Sequence, residues 1–265
     1  FNAICFNRDY RRAALKKRQA EIGTKIVELN GKATIGLPEA IAGRVALVFA
    51  TLFVAPKSTR PGPWENLVYK DAKSAYTLAM KQMDYYQRLV DEDPRLRIIR
   101  NEADLDAVLA TWGPEKSLKE RQQGLVILME NADPIIEPKQ FEEWYELGVR
   151  LVGPAWKATR YCGGTAEPGP LTDLGRELLD VMADFNAVLD LSHMAEEAYL
   201  EAVERYEGVI IASHSNPRKF NSSDRHLSDE MIRRLAERDG VIGVVLANFF
   251  LDEKWRSTDG KSALK

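Results

Sequence analysis

AVLDLSHMAEEAYLEAVERYEGVIIASHSNPRKFNSSDRH, residues 187–226, decides the fold. It holds all three histidines of the chain and two short apolar runs, Ala187–Leu191 and Val209–Ala212, each followed by Ser-His. Between the runs, Ala195–Tyr206 is amphipathic and long enough for a helix. Strand, helix and strand in that order make a parallel crossover. The crossover puts His193 and His214 at the same end of two neighbouring strands, where both point at one site.

The alternation continues on either side. Val45–Val54 reads as a buried strand, rich in β-branched and aromatic residues. Ala55–Trp64, with three prolines and a glycine, reads as a loop, and a long helix follows from about 65 to 90. Then come a strand at Leu96–Arg100, a helix at Glu102–Thr111 capped by Asn101, and a continuous apolar strand at Gly124–Glu130. A helix at Pro138–Leu147 and a strand at Val149–Pro154 lead into a Gly/Pro-rich loop, Lys157–Gly169. The helix Thr172–Asn186 enters the opening stretch. Beyond it are a loop, Ser215–Leu227, a helix, Ser228–Arg238, and a last strand, Val241–Phe249.

Repeated alternation of this kind means a parallel sheet with helical crossovers, either doubly wound or closed as a barrel. Glu130, the region of Trp156, His193, His214 and Asn248 all fall at or just past the C-terminal ends of successive strands. A barrel gathers such ends on one face. The expected fold is therefore α/β, a (β/α)8 TIM barrel, as a single domain over residues 1–265.

Composition narrows the function classes. A formal net charge of −3 leaves no nucleic-acid footprint, and no apolar run approaches the roughly 18–20 residues of a membrane span. The expectation is a soluble protein of the cytoplasm or periplasm. The basic cluster Arg8, Arg11, Arg12, Lys16, Lys17 and Arg18 reads as a solvated helix face. Two cysteines, Cys5 and Cys162, give neither a disulfide framework nor a CxxC metal pattern. A start at Phe1 and an abrupt end at Lys265 read as a piece of a longer protein.

Glu130 closes a buried strand, where a charge is expensive unless paired. Two neutral imidazoles and a carboxylate from separate strands are a normal zinc ligand set, and a carboxylate also bridges two metals. The alternative is that Glu130 pairs with a nearby Lys or Arg while His193 and His214 donate to backbone carbonyls. His226, in a polar loop, reads as solvent-facing or structural. Arg225 beside it reads either as a surface arginine or as a bidentate clamp on a substrate carboxylate. There is no GxSxG elbow, no phosphate-binding glycine loop and no HExxH.

Asp190-Leu-Ser-His193, then Ser213-His-Ser215, Arg225-His-Leu-Ser-Asp229 and Gly240-Val-Ile-Gly-Val-Val together resemble the membrane (renal) dipeptidase family of zinc metallopeptidases. Leu128-Met-Glu130, Leu147-Gly-Val-Arg150 and Leu171-Thr-Asp-Leu-Gly175 fit in order and spacing. The resemblance implies a barrel of the metal-dependent hydrolase type holding two zinc ions, and hydrolysis of dipeptides or related small amides. By position, Glu130 would bridge the metals as the catalytic carboxylate. His193 and His214 would complete the second metal's ligands, and Arg225 would hold the substrate's C-terminal carboxylate. The implied reaction is attack by a metal-bridging hydroxide on the scissile carbonyl, with zinc as Lewis acid. The family also admits a homodimer.

Three departures accompany the resemblance. The family's His-x-Asp pair on its first strand has no counterpart here, and its catalytic aspartate would fall beyond Lys265. Trp156 stands where many members carry a substrate-binding histidine. The barrel is thus expected to lack its first strand and last strand region, and half of the dinuclear site, leaving this chain weakly active or inactive alone. Two further readings stay open: a metal-dependent deacylase of N-acyl amino acids, which Trp156 encourages, and a non-catalytic barrel scaffold.

Overall fold

A computed structural model of the protein describes residues 2–59 and 67–255. Its contacts divide into two compact units, one of residues up to 128 with 146–150, the other of 129–145 with residues from 151 onward.

The first unit is built on the strands β1 (Leu47–Phe53), β2 (Leu96–Ile98) and the body of β3 (Gln123–Glu130), with β2 running parallel to β3. Helix α1 (Ala72–Glu92) starts at Asp71, whose side chain accepts from Ser74 N in a reciprocal capping box. It buries Ala75, Ala79, Met83 and Leu89. Asn101 caps α2 (Glu102–Leu109) as its sequence position requires, accepting from Asp104 N at 2.9 Å.

The basic cluster of this unit is solvated only in part: Arg12, Lys16 and Arg18 are exposed as expected, while two members are not. Arg8 is buried and meets Glu21 at 2.6 Å, and Lys17 is buried and donates to the Ile35 carbonyl at 2.7 Å. The segment forms two short helices, Ala14–Ala20 and Ile26–Asn30, and Arg8, Lys17 and Arg18 reach from it to Glu21 and to the carbonyls of Ile35 and Ala33.

The second unit carries the last two residues of β3, then β4 (Val149–Gly153) from Leu151 on, β5 (Val188–Asp190), β6 (Ile210–Ala212) and β7 (Val241–Ile242). From β4 onward the pairing is parallel and sequential: Leu151 faces Val188, Ile211 faces Asp190, and Ala212 faces Ile242. The crossovers are α3 (Asp173–Asp184), α4 (Glu196–Arg205) and α5 (Asp229–Ala236). Thr172 caps α3 through Gly175 N, and Ser228 caps α5 through Met231 N. The core here is Met129, Leu151, Val152, Leu178, Leu179, Leu189, Tyr199, Val203 and Ile210.

Two segments differ from the sequence reading. Within the stretch read as the loop Lys157–Gly169, Cys162–Gly164 pairs antiparallel with Glu167–Leu171. Pro168 and Pro170 are tolerated because this two-stranded ribbon leaves their positions unpaired. Gly163 is needed for the approach, since a Cβ there would sit 2.2 Å from Gly169 N. The last strand, read as Val241–Phe249, stops at Ile242, and Asn248 begins a short helix, Asn248–Leu251. The Asn216 amide takes both backbone groups of Val245, at 2.8 and 2.9 Å, in place of a ladder partner.

The close packing of Gly243 generates a stability prediction. A Cβ on it would lie 1.9 Å from the Ser213 carbonyl oxygen, a backbone atom that cannot swing away. Gly243→Ala is expected to destabilise the chain by about 1–3 kcal/mol, the usual penalty of overpacking, read as a lower urea midpoint.

Candidate metal centre

Among the described residues, the three side chains that could hold a metal ion together all lie in the second unit. Glu130 ends β3, His193 sits in the turn after β5, and His214 in the turn after β6. The parallel register of β5 and β6 brings the two turns together, as the paired Ser-His endings imply. His193 Nε2 is 3.0 Å from His214 Nε2, and Glu130 Oε1 is 3.3 Å from the first and 3.2 Å from the second. Three donor atoms therefore form a nearly equilateral triangle. Ligands bonded to tetrahedral zinc at about 2.0–2.1 Å stand roughly 3.3 Å apart, so the triangle has the size of one face of such a site.

The charge states suit the same use. Burial pushes the Glu130 carboxyl up, but hydrogen bonds with His193 and His214 outweigh it and hold it at about 2. Burial drives His193 down to about 4 against the pull of Glu130. At neutral pH the site therefore presents a carboxylate and a neutral imidazole, the forms that ligate metal. Among the described residues this is the one cluster of three or more His, Cys, Asp or Glu side chains able to hold an ion.

Backbone strain marks the site. His193 has φ 68, and Asn131, directly after Glu130, has φ 77. For a histidine this left-handed conformation costs about 1–2 kcal/mol. Such outliers gather where function fixes a side chain's direction.

Arg225 is 7% exposed, which rules out a surface arginine. Nη2 donates to the His214 carbonyl at 2.5 Å and Nη1 to Ser215 Oγ at 3.3 Å, while the guanidinium lies 5.6 Å from the Phe250 ring centroid. Burial lowers it to about 10, so it stays a cation at neutral pH. The described residues take two of its five N–H donors, leaving others for a ligand. The Trp156 ring stands 6.1 Å from that of His193, tilted by 44°, and forms a wall of the site.

His226 is not solvent-facing. It is 1% exposed, edge-on to Phe250 at 4.6 Å, and neither ring nitrogen has a partner among the described residues. Asn248, expected at a strand end, instead opens the short helix noted above. Sequence reasoning missed Thr165 and Ser213, whose hydroxyls lie 3.1 and 2.7 Å from the outer nitrogens of His193 and His214. The serine in each Ser-His pair was visible, but a serine after a strand carries no signal of its own.

The membrane dipeptidase family (Peptidase family M19) matches residues 11–261. The chain belongs to that family. An uncharacterized protein of Acinetobacter calcoaceticus, from the PQQ-III 3' region, is 26% identical over 219 residues, covering 77% of this chain and 66% of that protein. An uncharacterized dipeptidase of Schizosaccharomyces pombe is 24% identical, over 79% of this chain and 49% of its own length. The chain thus spans two thirds or less of these relatives.

Among solved structures, the probable dipeptidase PvdM from Pseudomonas aeruginosa superposes with a TM-score of 0.71 at 22% identity, covering 88% of this chain and 58% of PvdM. A metallopeptidase from Rhodobacter sphaeroides, solved with a phosphinate mimic of the dipeptide L-Ala-D-Ala, gives 0.69 at 20% identity, covering 92% and 75%. These likenesses bear out the α/β, TIM-barrel class expected from the sequence. No helix among the described residues is long and apolar enough to cross a membrane.

The strained turn supplies the test of this geometry. His193→Gly and His193→Ala both remove the imidazole, but only alanine keeps the left-handed penalty. The glycine variant is expected to be the more stable by about 1 kcal/mol in urea unfolding. Equal midpoints would show that the turn relaxes out of the left-handed region.

Proposed function

We propose that this chain carries the zinc and carboxylate-binding half of a metallodipeptidase site, and that the whole protein hydrolyses dipeptides or closely related small amides. The observation that carries the reading is the Glu130–His193–His214 triangle with the buried Arg225 cation hydrogen-bonded to the backbone of His214. Family membership supports it.

Glu130, His193 and His214 would hold the zinc, and the Glu130 carboxylate is of a kind that serves two ions. Zinc bound there supplies Lewis acidity and lowers the pKa of a bound water. The remaining chemistry belongs to the chain. Arg225 offers planar paired donors to the substrate's terminal carboxylate, which fixes the distance between that end and the ligand triangle. Trp156 and Thr165 at the hairpin tip flank His193, while the His214 side chain stays open to solvent. Asp224 accepts from Ala166 N at 2.7 Å, which holds that tip against the loop bearing Arg225.

A deacylase of N-acyl amino acids shares every one of these contacts, and Trp156 in place of a polar group favours it. A scaffold would not need the triangle. The measurements are zinc content and the binding of a phosphinate dipeptide mimic to the full chain. About one tightly held zinc is expected, lost in His214→Ala. Arg225→Lys is expected to keep the zinc and weaken the mimic about 10-fold or more, since lysine loses the two-pronged contact. A chain that takes no zinc would favour the scaffold, and preference for N-acyl amino acids over dipeptides would move the assignment to the deacylase.

A further inference from the structure

Asp190 ends β5 directly opposite Ile211 of β6 and is 1% exposed. Its Oδ1 accepts the backbone N–H of Ser192 at 3.0 Å and of Ser213 at 2.9 Å. Its Oδ2 accepts the Ser213 hydroxyl. One carboxylate therefore closes the ends of the two strands that deliver His193 and His214.

The hydroxyl bond has a consequence for His214. A serine hydroxyl carries one hydrogen, and here that hydrogen is given to Asp190. Toward His214 Nδ1, 2.7 Å away, Ser213 Oγ can then only accept. The imidazole hydrogen is thereby drawn to Nδ1 in competition with the Glu130 carboxylate, whose Oε1 lies 3.2 Å from Nε2, and with the hydrogen at Nδ1 the Nε2 lone pair is free for a metal. Nε2 is the atom that forms the triangle with His193 and Glu130. Ser192 holds the same residue from the other side, its Oγ accepting His214 N–H at 3.1 Å. His193 lacks such support, because its Nδ1 meets only Thr165 from the hairpin tip.

We infer that Asp190 is a positioning residue which, through the Ser213 hydroxyl, fixes His214 in its Nδ1–H form with Nε2 turned to the metal site. The inference rests on the zinc reading above. A strand-end clasp alone would need only the two backbone N–H bonds. The hydroxyl bridge is superfluous to it, so the bridge can be removed separately. Partners of this kind orient metal-bound histidines and strengthen them as ligands.

The test uses the full chain, whose three histidines give a readable imidazole nitrogen-15 spectrum. In metal-free wild type, His214 is expected as the Nδ1–H tautomer. Ser213→Ala should give a tautomer mixture and Ser213→Thr should restore the wild-type form. Asp190→Asn turns an acceptor into an amide donor, which reverses the relay and should favour Nε2–H. Zinc affinity, read by competition with a chromogenic chelator, should fall about 10–100-fold in Ser213→Ala and stay near wild type in Ser213→Thr. The urea midpoint in chelator should be the same for the alanine and threonine variants.

An Nε2–H His214 in metal-free wild type would overturn the inference. So would Ser213→Ala with unchanged tautomer and zinc affinity, or one whose affinity loss tracks a lowered midpoint. If wild type binds no zinc, the metal reading fails, and the tautomer measurement alone decides the relay.

Discussion

Three electron-rich atoms held within 3.3 Å of one another are the constraint around which the second unit is arranged. Two imidazole nitrogens and a carboxylate oxygen repel one another unless protons or a cation lie between them, and burial strengthens that repulsion. The fold keeps the cluster by delivering each group from the end of a strand whose neighbours fix its position. It also accepts left-handed backbone at His193 and directly after Glu130. Neither conformation is needed to connect a strand to a helix.

Strands set where the donors arrive, while the turns and loops set how they are held. His214 is tied through Ser213 to a strand-end carboxylate, and its carbonyl accepts from Arg225. The residue that presents a lone pair to the triangle is thus also the residue on which the cation rests. Groups sharing a partner at hydrogen-bond distance do not respond independently to substitution. A change at Arg225 reaches the triangle through one peptide unit, and a change at Ser213 reaches the cation by the same route.

The legible parts of the sequence were those with a period or a terminus to read. Apolar runs ending in Ser-His gave β5, β6 and the two histidines, and the run closing on Glu130 gave the third donor. Asn101 and Thr172 announced their helices because capping depends on neighbours three residues away. What stayed hidden depends on contacts distant in sequence. The burial of Arg225 follows from Phe250 and the His214 carbonyl, neither of which is local to its loop. The early end of β7 follows from Asn216, 29 residues upstream of the backbone it satisfies. The hairpin within the Gly/Pro-rich stretch follows from Gly163 meeting Gly169, and a glycine in sequence announces freedom rather than a partner. Arg8 and Lys17 looked solvated because charge runs usually are. Their partners are Glu21 and the Ile35 carbonyl, the second across 18 residues.

The tryptophan beside His193 bears on substrate choice in a way the triangle does not. Dipeptides and N-acyl amino acids both end in a carboxylate that a buried arginine can meet, and both present one amide carbonyl to the ligand triangle. They differ at the other end, where one carries an ammonium and the other an acyl chain. An apolar wall rejects a misfitting group by only about 1–3 kcal/mol, whereas a site built to hydrogen-bond a polar group discriminates far more strongly. An indole accepts no hydrogen bond, and its only polar group is a donor. It therefore cannot reward an ammonium over a methyl group by hydrogen bonding. On the proposed reading, Arg225 and the histidines would be what binds a carboxylate-ended amide. Selection between the two classes would then rest on the attraction of an ammonium for the indole face and on a nearby carboxylate such as Asp224, which accepts from the hairpin tip and shares its loop with Arg225.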